Sequence, residues 1–141
     1  MYFSDKHNAI IMSESDFTTN VADRGGAVYV TATNTQVMMT KCSFIENRLH
    51  NKAGALGGAV YITGNGNLLS TNKGTFVRNT AGLGGGGAIY SRGQYTNFSL
   101  VQTTFSYNSA ASCGVIDVDD FNHESVNFTR STFIHNRATG E

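Results

Sequence analysis

The chain has 141 residues, 40% of them apolar, and its ten Lys and Arg balance ten Asp and Glu. This length suits a single compact domain, and a formal net charge of zero argues against nucleic acid or an anionic lipid surface as the partner. Sixteen Gly, nine Phe and six Tyr with only 14% charged residues give neither a disordered nor a coiled-coil composition.

Three short elements follow one another from the start of the chain and then repeat. The first unit has an apolar pair at Ile10 and Met12, a Phe-x-x-Asn segment at 17–20, and the phrase Gly25-Gly26-Ala27-Val28-Tyr29-Val30. Alternating apolar residues in runs this short predict strands rather than helices. Met1-Tyr2-Phe3 aligns with the end of the Gly-Gly phrase, so we expect the chain to begin inside such a strand.

The Phe-x-x-Asn segment occurs five times at spacings of 27 to 32 residues. One aromatic ring per repeat predicts an internal stack of rings. We expect each Asn to occupy the bend after its strand, because Asn tolerates a left-handed backbone, and to bond to the Asn of the next repeat. The phenylalanines are Phe17, Phe44, Phe76, Phe105 and Phe133, and the asparagines are Asn20, Asn47, Asn79, Asn108 and Asn136.

The Gly-Gly phrase recurs between consecutive Phe-x-x-Asn segments as Gly57-Gly58 and Gly86-Gly87, and in degenerate form as Cys113-Gly114. Glycine pairs predict a tight corner or a close approach of two backbones. The tyrosines after these phrases, Tyr29, Tyr61 and Tyr90, should point away from the core and form an exposed row. Such a row either binds a sugar or a partner surface, or simply stacks to protect the sheet.

Short strands that repeat in register must stack in parallel, one coil upon the next. The sequence therefore predicts an all-β parallel β-helix, a β-solenoid, with three short strands per coil and about five coils, forming one domain over residues 1–141. The segment 48–56 is the longest variable loop, and we expect it to be mobile and suited to a partner contact. Neither end shows an obvious cap, so we interpret the chain as an excerpt of a longer array whose open ends favour end-to-end self-association.

One acidic cluster interrupts the repeat, at Asp117, Asp119, Asp120 and His123. Asp117 stands where the other units have Tyr, and strand alternation places it on one outward face with Asp119. Such carboxylates suit a calcium site or the acid pair of a glycoside-cleaving enzyme. The alternative, which we favour, is a solvated loop rich in turn-forming residues. We therefore predict no catalytic residues, metal or cofactor, and keep calcium as the alternative.

The two thiols, Cys42 and Cys113, form no CxxC motif, so neither a disulfide framework nor a zinc site follows and their redox state is open.

The alternation of Gly-Gly-Ala-Ile/Val with Phe-x-x-Asn over residues 2–141 resembles the passenger domains of chlamydial polymorphic outer membrane proteins. More broadly it resembles right-handed parallel β-helix repeats of the pectin-lyase-like superfamily. The resemblance implies a right-handed coil and a non-enzymatic extracellular or cell-surface module for structure or adhesion. We expect a surface glycan or protein as partner; the neutral charge argues against nucleic acid, and no apolar run approaches the roughly 18 residues of a membrane helix, so we expect no membrane insertion. Because many pectin-lyase-like proteins cleave polysaccharides, the alternative is a fragment of a carbohydrate-active enzyme or a glycan-binding module.

Overall fold

The structure is a computed structural model that describes residues 1–4, 9–50, 54–119, 122 and 125–140. These residues form a parallel β-helix with three main sheets of five strands, which matches the right-handed parallel β-helix predicted from the sequence. Within the described ranges, no helix is long and apolar enough to cross a lipid bilayer. Each sheet contains one element of the repeat, contributed once by every coil.

Sheet 1 contains the ends of the Gly-Gly phrases. Its strands, in order across the sheet, are β1 (Tyr2–Ser4), β5 (Val28–Thr31), β9 (Val60–Thr63), β12 (Ile89–Arg92) and β16 (Ile116–Asp119). Tyr2 pairs with Tyr29, so the prediction that the chain begins inside such a strand is confirmed. Ile116 pairs with Ile89, so the degenerate phrase after Cys113 keeps the register of the repeat.

Sheet 2 contains the apolar pairs and sheet 3 contains the phenylalanines. The strands of sheet 2 are β2 (Ala9–Ser13), β6 (Gln36–Thr40), β10 (Leu68–Asn72), β13 (Asn97–Val101) and β17 (Ser125–Thr129). Those of sheet 3 are β3 (Asp16–Thr18), β7 (Ser43–Ile45), β11 (Thr75–Val77), β14 (Thr104–Ser106) and β18 (Thr132–Ile134). Two further parallel pairs follow the Asn positions: β4 (Val21–Ala22) with β8 (Arg48–Leu49), and β15 (Ser109–Ala110) with β19 (Arg137–Ala138).

The five phenylalanines of sheet 3 form a continuous stack through the core. Consecutive ring centroids are 4.6 to 5.0 Å apart, with interplanar angles between 5° and 13°. Phe44, Phe76 and Phe105 are fully buried, whereas Phe133 in the last described layer is 44% exposed. Because parallel pairing places identical residues at strand spacing, each ring covers the face of its neighbour.

The asparagines also form a ladder, but the expected left-handed backbone lies one residue earlier. The residue before each Asn has φ between 52° and 57°; these residues are Thr19, Glu46, Arg78, Tyr107 and His135. None of the five asparagines is among the positive-φ residues. Each Asn side chain points inward, where its amide bonds to the Asn of the next coil. The chain therefore makes its left-handed turn at the residue before the Asn. This prediction was wrong by one position.

The two glycines of each phrase have different roles. Gly57 has φ of +73°, a conformation that side chains rarely adopt. Gly58 has no positive φ, but a Cβ there would lie 2.1 Å from the carbonyl oxygen of Gly87 on the next coil. Both sequence interpretations, the tight corner and the close backbone approach, are therefore correct, each for one glycine of the pair.

The tyrosine row is not the exposed surface that strand alternation predicted. Tyr61 is only 3% exposed and Tyr90 only 5%, while Tyr29 is half-buried. Their rings cover one another, with centroids 5.0 and 5.4 Å apart along the row. The chain entering the Gly-Gly corner also passes close by, since a Cβ at Gly86 would lie 3.0 Å from the Cβ of Tyr90. The tyrosine side chains do lie on the face of sheet 1 that points away from the core, but residues of neighbouring coils cover them.

The variable segment 48–56 is ordered at both of its described ends. Arg48 and Leu49 form β8, and Ala55 is fully buried in a small cluster with Leu49, Ala81 and Ala110. Residues 51–53 lie outside the described residues, so the predicted mobility of this loop stays a prediction.

Candidate functional site

The two described members of the acidic cluster are bonded to their neighbours. Tyr90 donates its hydroxyl hydrogen to Oδ2 of Asp119 at 2.9 Å, and Arg92 Nε lies 3.7 Å from the same oxygen. Ser112 Oγ donates to Oδ2 of Asp117 at 3.4 Å. Both carboxylates thus serve contacts with adjacent residues and coils. The other two candidates, Asp120 and His123, lie outside the described residues.

Two protonated groups, the Tyr90 hydroxyl and the Cys113 thiol, lie beside this acidic cluster. Burial, followed by the hydrogen bond to Asp119, raises the pKa of the Tyr90 hydroxyl. Burial also raises the pKa of the Cys113 thiol, with a smaller contribution from the charge of Asp117. A raised pKa leaves the phenol and the thiol protonated at neutral pH, where they act as donors rather than as nucleophiles or bases.

The structure brings no metal-binding constellation together within the ranges it describes. No three His, Cys, Asp or Glu side chains of those residues are placed so that they could share an ion. Cys42 and Cys113 are both unpaired thiols, the first buried and the second half-buried.

A second surface, which no sequence motif indicated, lies along the corner between sheet 3 and the short strands. Its first column is the set of left-handed residues, Thr19, Glu46, Arg78, Tyr107 and His135. Its second column is the set of residues that follow the asparagines, which bridge from coil to coil in parallel: Val21, Arg48, Thr80, Ser109 and Arg137. Since the Asn between the columns points inward, both columns face solvent to some degree. We call these ten residues the corner strip.

The first column of the corner strip is a chain of charged and aromatic contacts. Arg78 Nη1 lies 3.7 Å from Glu46 Oε1, and the Arg78 guanidinium lies 5.7 Å from the centre of the Tyr107 ring. The Tyr107 and His135 rings stack at 5.1 Å with an interplanar angle of 27°. Tyr107 is 52% exposed, and the Arg78 side chain is 62% exposed. The strip therefore exposes a tyrosine whose ring lies between Arg78 and His135, together with the Arg78 cation itself.

A groove of about 320 Å³ lies on the corner strip, lined by Thr19, Glu46, Arg48, Arg78 and Thr80. Arg48 also lines a neighbouring depression with Val21, Leu49 and His50. Among the residues with described coordinates, the Arg48 guanidinium has no ion-pair partner. Two sequence signals bear on this site: the first-column residue type changes in every repeat beside an unchanging Asn, and Arg48 begins the variable segment predicted to suit a partner contact.

Comparison with known proteins identifies the repeat. Residues 73–92 match the family model of the Chlamydia polymorphic membrane protein (Chlamydia_PMP) repeat. The matched residues include Phe76, Asn79 and the phrase Gly86-Gly87-Ala88-Ile89-Tyr90. No curated protein and no solved structure gives a significant match to the chain. Together with the parallel coil, this match shows that the chain is built from β-helix repeats like those of the polymorphic membrane proteins.

Proposed function

We propose that this chain is a non-enzymatic β-helical module of an extracellular or cell-surface protein, and that it presents its faces and loops for adhesion. The match of residues 73–92 to a membrane-protein repeat supports a surface location. The parallel coil supports a scaffold role, because stacked repeats create long, regular surfaces rather than a single enclosed pocket.

The observation that carries this proposal is the first column of the corner strip. Its backbone angle varies by only 5° over five coils, from 52° to 57°. Its side chains are nevertheless Thr, Glu, Arg, Tyr and His in turn. A fixed backbone with a changing, solvent-facing side chain is what a presenting surface requires.

The competing proposal, a fragment of a carbohydrate-active enzyme, depends on Asp117 and Asp119. Both carboxylates already accept hydrogen bonds from neighbouring side chains, namely Ser112 and Tyr90. This arrangement favours a structural role for the pair. Incubation with a panel of neutral and acidic polysaccharides should release no reducing or unsaturated ends, and release that is lost in Asp117→Asn and Asp119→Asn would support the enzyme instead.

The proposal is tested by binding of the labelled 141-residue chain to a panel of cultured cells. We expect saturable binding to at least one cell type, and weaker binding by a variant with Arg78→Gln and Tyr107→Ser. The control variant carries Lys73→Gln and Gln102→Ser, which change two exposed left-handed residues on the opposite edge of sheet 3. If the chain shows saturable binding to none of the cell types, an adhesive function is contradicted.

A further inference from the structure

The corner strip concentrates positive charge on a chain whose formal net charge is zero. Its charged members are three arginines, Arg48, Arg78 and Arg137, against the single carboxylate of Glu46. The Glu46–Arg78 pair is long, at 3.7 Å, and both side chains are at least half exposed, so solvent screens it strongly. The strip therefore attracts anions although the molecule as a whole does not.

Arg48 is the first of these arginines along the axis of the coil, one coil before Arg78. It is exposed, lies beside Arg78 in the 320 Å³ groove, and has no ion-pair partner in the part of the chain that the structure describes. A guanidinium presents several N–H donors in a planar fork that matches a carboxylate or a sulfate with two hydrogen bonds. Two such forks, on adjacent coils, line one groove together with the carboxylate of Glu46.

The aromatic residues continue the same surface beyond the groove. Tyr107 follows Arg78 along the first column, and His135 stacks on Tyr107 at 5.1 Å. Arg137 ends the second column, three coils from Arg48, which is roughly 14 Å at the usual spacing of parallel strands. A ligand that meets all of these residues must be elongated and must carry negative groups at intervals.

We infer that the corner strip binds an acidic polysaccharide, laid along the axis of the coil. Arg48 and Arg78 hold one carboxylate or sulfate group in the groove, Tyr107 and His135 contact sugar rings, and Arg137 meets a second anionic group. This inference rests on the proposed function, since it names the ligand class of an adhesive surface. Single-stranded nucleic acid, which also carries anionic groups between flat rings, is the competing ligand.

The test measures binding of the 141-residue chain to immobilised heparin, a sulfated glycan, and to polygalacturonate, a carboxylated one. Neutral dextran is the control surface. We expect saturable binding to at least one acidic glycan, weakened by salt, and none to dextran. Arg48→Gln and Arg78→Gln should each weaken binding about fivefold to tenfold, and Tyr107→Ser should weaken it at high salt as well.

Lys73→Gln is the matched control for Arg78→Gln, since both remove one exposed positive charge from a left-handed corner. We expect Lys73→Gln to change affinity by less than about twofold. Equal losses in both variants would show non-specific charge attraction and overturn the inference, as would failure to bind either acidic glycan. Stronger competition by single-stranded DNA than by the free glycan would also overturn it. Circular dichroism must show that each variant keeps its fold.

Two outcomes separate this inference from the proposed function. If the chain binds cells equally well after enzymatic removal of their acidic glycans, adhesion stands and the glycan inference fails. If it binds heparin or polygalacturonate through Arg48 but binds no cell type, the glycan site stands and adhesion fails.

Discussion

The side-chain oxygen of Asn108 accepts two hydrogen bonds from Asn79, one from its backbone N–H at 3.0 Å and one from Nδ2 at 2.9 Å. Nδ2 of Asn79 also donates to the carbonyl oxygen of Phe44 at 2.9 Å. Phe44, Asn79 and Asn108 belong to three consecutive coils, so a single buried amide joins all three. The ladder repeats this linkage from Asn20 to Asn136.

Replacing Asn79 with Ala should lower the free energy of unfolding by about 3 kcal/mol or more. The change leaves the Asn47 amide without its acceptor and the Phe44 carbonyl without its donor, and each buried unsatisfied group costs about 1–3 kcal/mol. Urea denaturation measures the loss. Asn20→Ala is the control, because Asn20 is exposed and donates only to Asn47; we expect a loss of about 1 kcal/mol. Equal losses at the two sites would contradict the role of the ladder.

Replacing Ser91 with Val should stabilise the fold by about 1–2 kcal/mol. Ser91 is fully buried in sheet 1 between Ile62 and Val118, and its Oγ has no hydrogen-bond partner in the described structure. Val removes the unsatisfied hydroxyl and supplies the β-branched side chain of the neighbouring coils. Thermal and urea unfolding should both shift upward. Ser70→Val, at a half-buried outward position of β10, should change stability by less than about 0.5 kcal/mol. Destabilisation by Ser91→Val would mean that the hydroxyl has a structural role.

Stability should fall as the pH rises above about 10, the ordinary pKa of tyrosine. Burial and the bond to Asp119 raise the pKa of Tyr90, so the folded chain keeps this proton where the unfolded chain loses it. Binding more protons in the folded state makes stability decrease with pH. The raised pKa of Cys113 acts in the same direction from about pH 8.5, so the experiment uses a Cys113→Ser background.

Denaturation at pH 8 and at pH 10.5 measures this effect, and Tyr90→Phe should reduce the difference between the two. Tyr95→Phe is the comparison, since Tyr95 is 53% exposed. A pH dependence that Tyr90→Phe leaves unchanged would assign the effect to another group.

The 141-residue chain should self-associate end to end at high concentration. Val126, Phe128 and Phe133 in the last described layer are 37%, 49% and 44% exposed, on strands with one free edge. Such an edge and apolar surface favour pairing with another chain. Sedimentation velocity should show a concentration-dependent mass that Phe128→Lys lowers. Leu83→Lys, at a residue 48% exposed in a middle coil, is the control; a monomer at all concentrations would refute the prediction.

The coil and its register could be predicted because they depend on side-chain periodicity, which a sequence displays directly. Phe44, Phe76 and Phe105 recur once per repeat, and parallel pairing follows from that recurrence. The left-handed corner could not be located in this way. Residues as different as Glu46, Arg78 and Tyr107 occupy it, and their types share no preference for positive φ.

The burial of Tyr61 and the corner strip were missed for a related reason. Strand alternation decides which face a side chain leaves from, but the path of the neighbouring chain decides whether that face is covered. Tyr61 is 3% exposed on a face that alternation assigns to solvent. The strip joins two columns separated by an inward Asn, and only the three-dimensional corner brings Arg48 and Arg78 into one groove.

Ten residues along the two edges of sheet 3 hold φ between 48° and 57° without being glycine. Each such residue costs about 1–2 kcal/mol relative to an ordinary conformation, yet side chains as different as Glu14, Thr19 and Tyr107 occupy these positions. The edges can consequently drift in sequence among related rods while their interiors stay alike. An antibody raised against one edge of sheet 3 would then fail to bind the same edge of a related β-helix with different residues there.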